Sequence, residues 1–338
     1  MKIGIVGCGA LGSYYGSHLC RDGHETHFLL RSDWDQVARH GVEVRGADPA
    51  ENFTVHPIAA RTAEDIGVCD LVIVGLKTTA NHRLKDWVAP LAGPGSAVLT
   101  LQNGLGNEEA LAAFLPAEQV LGGLCFVSLN RISPGVVLHI NGGRILMGEF
   151  QRATGPRTHR LAEAFRRAGI PTDLAADLAL AHWLKLVWNI AFNGLGVAAV
   201  AGGDAVDSGR VDPDRPLDPC LPTDQLLGDL RWRERVREMM LEVITGARSL
   251  GLAIEPDYAD AEIGRTEGMG SYRASTLVDF ERGSPLELES LFLDPLRKAG
   301  AAGARLPRIE KLCHVLQALD HRRQRMGTDA SLASSAPS

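Results

Sequence analysis

Lys2-Ile3-Gly4-Ile5-Val6-Gly7-Cys8-Gly9-Ala10-Leu11-Gly12 opens the chain and decides its fold. Ile3 to Val6 reads as a buried strand, Gly7 to Gly12 as a glycine fingerprint, and Ser13 to Cys20 as the helix that follows, ended by Asp22-Gly23-His24. A strand, a tight turn and a helix start in that order form the cradle for a dinucleotide pyrophosphate. Gly7 permits the turn, Gly9 removes a Cβ from the path of the phosphates, and Gly12 lets helix and strand pack closely. The backbone of Cys8, Ala10 and Leu11 completes the loop, and the helix N-terminus offers N–H groups to the anion. The competing reading is a glycine-rich turn that holds no nucleotide.

The next strand, His27 to Leu30, ends in Arg31-Ser32. An acidic side chain at that tip would accept from the ribose 2′-hydroxyl of NAD, whereas a guanidinium suits a 2′-phosphate. The reading favours NADPH. The alternative keeps Arg31 as a solvated loop cation and gives Asp33 the NAD role.

Outward from there, Leu71 to Leu76 and Ala97 to Leu101 are apolar runs of the buried parallel kind, followed by Lys77-Thr78 and by Gln102-Asn103-Gly104-Leu105-Gly106. Ligands of open α/β sheets sit beyond the carboxyl ends of strands, which puts Lys77 and Asn103 near the cofactor and its nicotinamide. Gly135 to Ile140 and Arg144 to Met147 read as a hairpin turning at Asn141-Gly142-Gly143. From about Pro171 strand signals stop and helical periodicity takes over, as in Val236, Met239, Met240, Val243, Ile244, Ala247 and Leu250, and again in Ile309 to Leu319. The fold class is α/β: a Rossmann-type dinucleotide-binding domain over 1–168, an all-helical domain over 169–324, and an unstructured tail over 325–338. Gly202 to Asp224, with six Asp and four Pro, reads as an exposed loop.

At 338 residues with 45% hydrophobic composition the chain can bury a sizeable core. A net charge of −6 argues against nucleic acid as a partner. Six cysteines without a CxxC pair suggest free thiols in the cytoplasm and neither a disulfide framework nor a zinc site. No leader is expected before the first strand, and no apolar run reads as long enough to cross a bilayer.

Chemistry concentrates on Trp183 to Asn193, where Lys185, Asn189 and Asn193 recur every four positions among apolar neighbours. At 3.6 residues per turn they span about 80° of the helix surface. One ammonium and two amides on a mostly buried helix are costly unless they face something polar: a substrate, solvent, or neighbouring backbone. A second constellation runs from Ser275 through Gly283-Ser284-Pro285 to Glu287 and Glu289, with Glu287, between Leu286 and Leu288, as the inward carboxylate. Acidic groups in a first helical turn are also ordinary dipole complements.

Five islands in this order, namely Gly7 to Gly12, Arg31, Leu101-Gln102-Asn103-Gly104, Lys185 with Asn189 and Asn193, and Ser275 followed twelve positions later by Glu287, resemble the ketopantoate reductases. The resemblance implies NADPH-dependent reduction of ketopantoate (2-dehydropantoate) to pantoate, a step of pantothenate and coenzyme A synthesis. It makes Lys185 the catalytic acid and Glu287 the carboxylate that positions substrate, with Asn103, Asn189, Asn193 and Ser275 as polar contacts. A lysine ammonium can stabilise the oxyanion formed as hydride reaches the C2 carbonyl, then deliver a proton. No metal is required, the partner is a small 2-oxo acid, and a homodimer stays open. The chain departs from the family's Ser-Met-Leu-Gln-Asp and Pro-Thr-Glu-Ile-Asp with Ser275-Thr276-Leu277-Val278-Asp279 and Pro285-Leu286-Glu287-Leu288-Glu289. These departures bear on the substrate more than on the reaction. The alternatives are a related reductase of another branched 2-oxo acid or imine, and a non-catalytic NADPH-binding regulator.

Overall fold

Ten strands make one sheet: β1 (Lys2–Val6), β2 (Glu25–Leu29), β3 (Val42–Arg45), β4 (Phe53–Val55), β5 (Ile58–Ala60), β6 (Cys69–Val74), β7 (Ala92–Thr100), β8 (Val120–Ser133), β9 (Val136–Glu149) and β10 (Thr172–Leu174). Their order is β4-β3-β9-β8-β7-β6-β1-β2-β5, with β10 paired to β9. This computed structural model describes residues 1–334. Pairing is parallel except between β3 and β4 and between β8 and β9. Alternation across the pleat explains the continuous apolar runs: Leu71, Ile73 and Leu99 enter one core and Val72, Val74 and Val98 the other. Both faces of the central strands are therefore covered, as parallel sheets require.

The chain divides into two compact units, Met1–Ala181 and His182–Ser338. The division falls later than the expected boundary at 168 because β10 adds a strand to the sheet beside Ile145, Leu146 and Met147. The second unit is helical throughout its described residues.

Several local expectations are corrected. The hairpin turns at Pro134-Gly135, where Gly135 has φ of 71°, and Asn141-Gly142-Gly143 lies inside β9 as an irregularity of the ladder. Positive φ at Gly142 and Gly143 mimics a turn signal, but here it accommodates a register shift opposite Val127 and Ser128. Gly202 to Asp224 contains the helix Gly203–Ser208 and enters the helix Thr223–Gly228. Between them Asp218 and Leu221 donate to the Val200 and Gly196 carbonyls, and Arg322 reaches the Asp212 and Arg215 carbonyls. Long-range backbone anchoring of that kind leaves no trace in composition. Leu250 lies just past the helix Leu230–Ser249 and is exposed, whereas Val236 to Ala247 form its buried face. The final helix is Pro307–Ser334, so the tail expected from 325 is helical backbone as far as 334, and 335–338 lie outside the described residues.

One stretch does reach membrane-spanning length, contrary to the sequence reading: Leu178–Ala201, 24 residues with mean hydropathy 1.4. It is composed of consecutive helical segments, and 83% of its apolar window is buried inside the protein, as in a core helix.

Candidate active site

In the first unit the carboxyl ends of β1, β2, β6 and β7 bring together the fingerprint, Arg31, Lys77 and Asn103 at the point where the strand order reverses about β1. The glycines play separate roles. At Gly7, with φ of 95°, a Cβ would stand 2.4 Å from the Leu76 nitrogen, and at Gly12 one would stand 2.3 Å from the Gly7 carbonyl oxygen. Those two are closed by protein. A Cβ at Gly9 would meet nothing within 4 Å, and Gly9 caps the helix Ala10–Arg21 without a side-chain bond to its first N–H groups. Open space in front of a helix start is the form a phosphate cradle takes, so these residues fit a dinucleotide.

Burial, reinforced by the Asp33 charge and opposed by Arg131, pushes the Cys8 thiol far above its usual range. It contributes backbone and a neutral side chain, not a thiolate.

Arg31 and Asp33, the rivals at the tip of β2, have different environments. Asp33 is buried and accepts from Ser32 Oγ at 2.9 Å, from the Gly135 N–H at 3.3 Å, and from the Arg131 guanidinium. Its carboxylate is committed to holding the β8–β9 hairpin. Arg31 is exposed, with its guanidinium 5.6 Å from the centre of the Trp87 ring, over which Arg83 also lies at 4.7 Å. The sequence reading missed Trp87, Arg83 and Arg131, because nothing in their spacing ties them to Arg31 or Asp33.

Beyond β6, Lys77 is exposed and precedes the turn Thr78–Arg83. Beyond β7, Asn103 is half-buried, and its carbonyl accepts from Asn107 Nδ2 at 3.1 Å.

In the second unit the polar line of Lys185, Asn189 and Asn193 is real, but its geometry is not that of a plain α-helix. Leu178–Asn189 is α-helical, Ile190–Gly194 is a π turn, and Leu195–Ala198 is α-helical again. A π turn advances less around the axis per residue, so Asn193 falls back toward the line of its predecessors. Asn193 Nδ2 then donates to Asn189 Oδ1 at 3.4 Å. Asn193 Oδ1 accepts from the Thr276 N–H at 3.0 Å and from Ser275 Oγ at 3.4 Å. That oxygen does the work of a cap for the helix Ser275–Glu281, whose own N-cap, Ala274, has no side-chain acceptor. Asn189 and Asn193 are buried and Lys185 is half-buried. The line faces protein polar groups at its Asn193 end, the arrangement left open above as pairing with neighbouring backbone.

Glu287 is buried while Glu289 is exposed and paired with Arg297, which separates the two carboxylates as the apolar flanks of Glu287 suggested. Just after Glu287 comes a second π turn, Glu289–Leu293. A Cβ at Gly194 would approach Phe292 Cε1 to 2.9 Å, so the two π turns pack directly on each other. The π turns that follow the Lys185 helix and Glu287 are therefore neighbours within the helical unit. Among the described residues no group of His, Cys, Asp and Glu could hold a metal ion.

Two family models cover most of the chain: "Ketopantoate reductase PanE/ApbA" over residues 3–152 and its C-terminal counterpart over 220–320. A curated 2-dehydropantoate 2-reductase from Nostoc sp. is 37% identical over 95% of this chain and 96% of its own length. The crystal structure of a 2-dehydropantoate 2-reductase from Geobacter metallireducens matches with a TM-score of 0.85 at 41% identity, covering 94% of this chain and 99% of that one. One from Methylococcus capsulatus matches with a TM-score of 0.84 at 28% identity, covering 96% and 98%. The glycine cradle, the polar line ending at Asn193 and Ser275, and the buried Glu287 thus lie in a chain that belongs to the ketopantoate reductase PanE/ApbA family.

Proposed function

We propose that this chain reduces 2-dehydropantoate to pantoate with NADPH, the activity by which its 37% identical relative is named. The observation that carries the reading is the polar system of the helical unit, in which the buried Asn189 and Asn193 are bonded in series with the exposed Ser275, beside the segments bearing Lys185 and Glu287.

Gly7 to Gly12 hold the pyrophosphate, Arg31 the 2′-phosphate, and Lys77 and Asn103 the nicotinamide end. The bound cofactor supplies hydride. With Asp33 already engaged by Arg131, Ser32 and Gly135, the group facing the adenosine ribose is the exposed Arg31, which favours a phosphorylated cofactor. Trp87 stacks with that guanidinium, and Arg83 adds a second positive charge at the same ring.

Lys185 holds its proton near the C2 carbonyl oxygen, where negative charge grows as the carbonyl is reduced, and then transfers it to the alkoxide. Glu287 accepts from the substrate hydroxyl and fixes its orientation. A site built around that bond penalises substrates lacking the hydroxyl. Asn189, Asn193 and Ser275 bond the substrate's remaining polar groups. Six free cysteines suit a cytoplasmic setting, and pantoate as product suits pantothenate and coenzyme A synthesis.

Steady-state oxidation of NADPH with ketopantoate tests the proposal, with 2-oxoisovalerate and NADH as the paired comparisons. Ketopantoate with NADPH is expected to be the preferred pair, and Arg31→Ala to raise KM for NADPH about tenfold or more while leaving NADH unchanged. Equal rates with both nucleotides would remove the Arg31 assignment, and preference for 2-oxoisovalerate would remove the Glu287 one.

A further inference from the structure

Four side chains that no part of the proposed mechanism uses form one continuous run of hydrogen bonds beneath the nicotinamide-side loops. Thr100 Oγ1 donates to Gln102 Oε1 at 3.0 Å, and Gln102 Nε2 donates to Asn81 Oδ1 at 2.7 Å. Asn81 Nδ2 donates to Asn107 Oδ1 at 3.0 Å, and Asn107 Nδ2 donates to the Asn103 carbonyl at 3.1 Å. Thr100, Gln102 and Asn107 are buried, and Asn81 is half-buried.

Each of the three amides gives its N–H to the next group and takes a bond on its oxygen from the previous one. Reversing Asn81 or Asn107 would set donor against donor on one side and acceptor against acceptor on the other, and reversing Gln102 would set its oxygen against Asn81 Oδ1, so the run has one stable polarity. The run ties two loops together. Asn81 sits in the turn that starts from Lys77, and the terminal acceptor belongs to Asn103, whose loop continues through Gly104 and Gly106, both with φ of 85°. A backbone with two left-handed residues has no regular ladder to hold it, and the Asn107 bond fixes the peptide plane from which the Asn103 side chain departs.

We infer that Asn81 is a positioning residue: through Gln102 and Asn107 it locks the Lys77 turn and the Asn103 loop into one mutual geometry, and thereby sets the nicotinamide for transfer. This rests on the reading that Lys77 and Asn103 face the nicotinamide. The chemical signature is that Asn81 must donate as well as accept.

Asn81→Asp keeps the acceptor for Gln102 and loses the donor for Asn107 whenever the carboxyl is ionised; protonation restores it. At pH 8 its kcat should fall about tenfold below that of the parent chain, the order expected when a buried acceptor loses its donor. The variant-to-parent ratio should recover to within about threefold at pH 5. Asn81→Ala should show the loss without the recovery, and NADPH-over-NADH preference should be unchanged in both because Arg31 is untouched. Gln102→Glu, which must donate to Asn81 in the same way, should reproduce the pH-dependent ratio and serves if the Asn81 variants fold poorly.

Hydrogen exchange of the ligand-free chain gives a readout independent of turnover. Amides of Gly104 to Asn107 should exchange at least about fivefold faster in Asn81→Ala than in the parent, with β1 and its helix unaffected. Unchanged exchange there, or a pH-independent kcat ratio for both acidic variants, overturns the inference. A parent chain that fails to turn over ketopantoate with NADPH strikes the proposed reaction instead, and the exchange result then still decides whether the run of amides holds the loop.

Discussion

The glycine cradle of the sheet unit and the polar line of the helical unit are both made from residues a few positions apart, yet they are secured in opposite ways. The cradle is closed by main chain against main chain: Gly7 lies against Leu76, and Gly12 against the Gly7 carbonyl. The polar line is closed by side chains reaching across the fold, as when Asn193 caps the helix that begins at Ser275. A cradle held by backbone contact tolerates no added atom at Gly7 or Gly12 but needs no side-chain partner elsewhere in the sequence. A line held by amides tolerates changes of shape but fails when one partner is lost.

The sharpest way to break this contrast is to add one methyl group at two places in the cradle. Gly12→Ala should destabilise the sheet unit by about 3 kcal/mol, since its Cβ meets a backbone oxygen that cannot swing away. Gly9→Ala should leave stability within about 0.5 kcal/mol while weakening NADPH binding at least tenfold. Denaturant unfolding and cofactor titration separate the two, and equal stability losses would mean that Gly9 is structural.

Next in size is a pH effect within the sheet unit. Burial, with Arg21 and His139 adding and the Ala168 carbonyl opposing, lowers the His18 pKa from 6.5 to about 4. Nδ1 lies 3.0 Å from the Ala168 carbonyl, which can only accept, so that nitrogen carries a proton and donates there. Because the folded value lies below the unfolded one, the unfolded chain binds the extra proton. Stability is then full above pH 6.5 and is lost as pH falls toward 4, by about 2–3 kcal/mol at pH 4.5. In His18→Gln, which keeps a donor for Ala168, the difference in unfolding free energy between pH 7 and pH 4.5 should shrink by that amount. An unchanged difference would show that the ring titrates normally.

The smallest effect probes the helical unit. Asn193→Ala removes a cap from Ser275–Glu281 and should cost about 1–2 kcal/mol in denaturant unfolding. A cost under about 0.3 kcal/mol would mean that the cap is dispensable and that Asn193 serves substrate alone.

The same contrast governs what the sequence discloses. The cradle was legible because strand, turn and helix follow one another without interruption, and Lys77 and Asn103 because they stand where buried apolar runs end. In the helical unit the four-residue recurrence located Lys185, Asn189 and Asn193, and the apolar flanks of Glu287 located the buried carboxylate. The π turns at Ile190–Gly194 and Glu289–Leu293 were not legible, and the contact between them, Gly194 on Phe292, joins positions nearly a hundred residues apart. Nor was the Gln102–Asn81–Asn107 run, whose members are ordinary amides until β6 and β7 lie side by side. Asn141-Gly142-Gly143 misled for the converse reason: residues suited to a turn were spent on an irregularity within a strand.

In the proposed reaction the Lys185 ammonium supplies the proton and stabilises the charge on the carbonyl oxygen. Its most direct test is single-turnover reduction of ketopantoate by Lys185→Ala with NADPH bound. The rate is expected to fall by about 10³-fold, with the dissociation constant of NADPH within about threefold of the parent value. A reduction rate equal to that of the parent chain would contradict it.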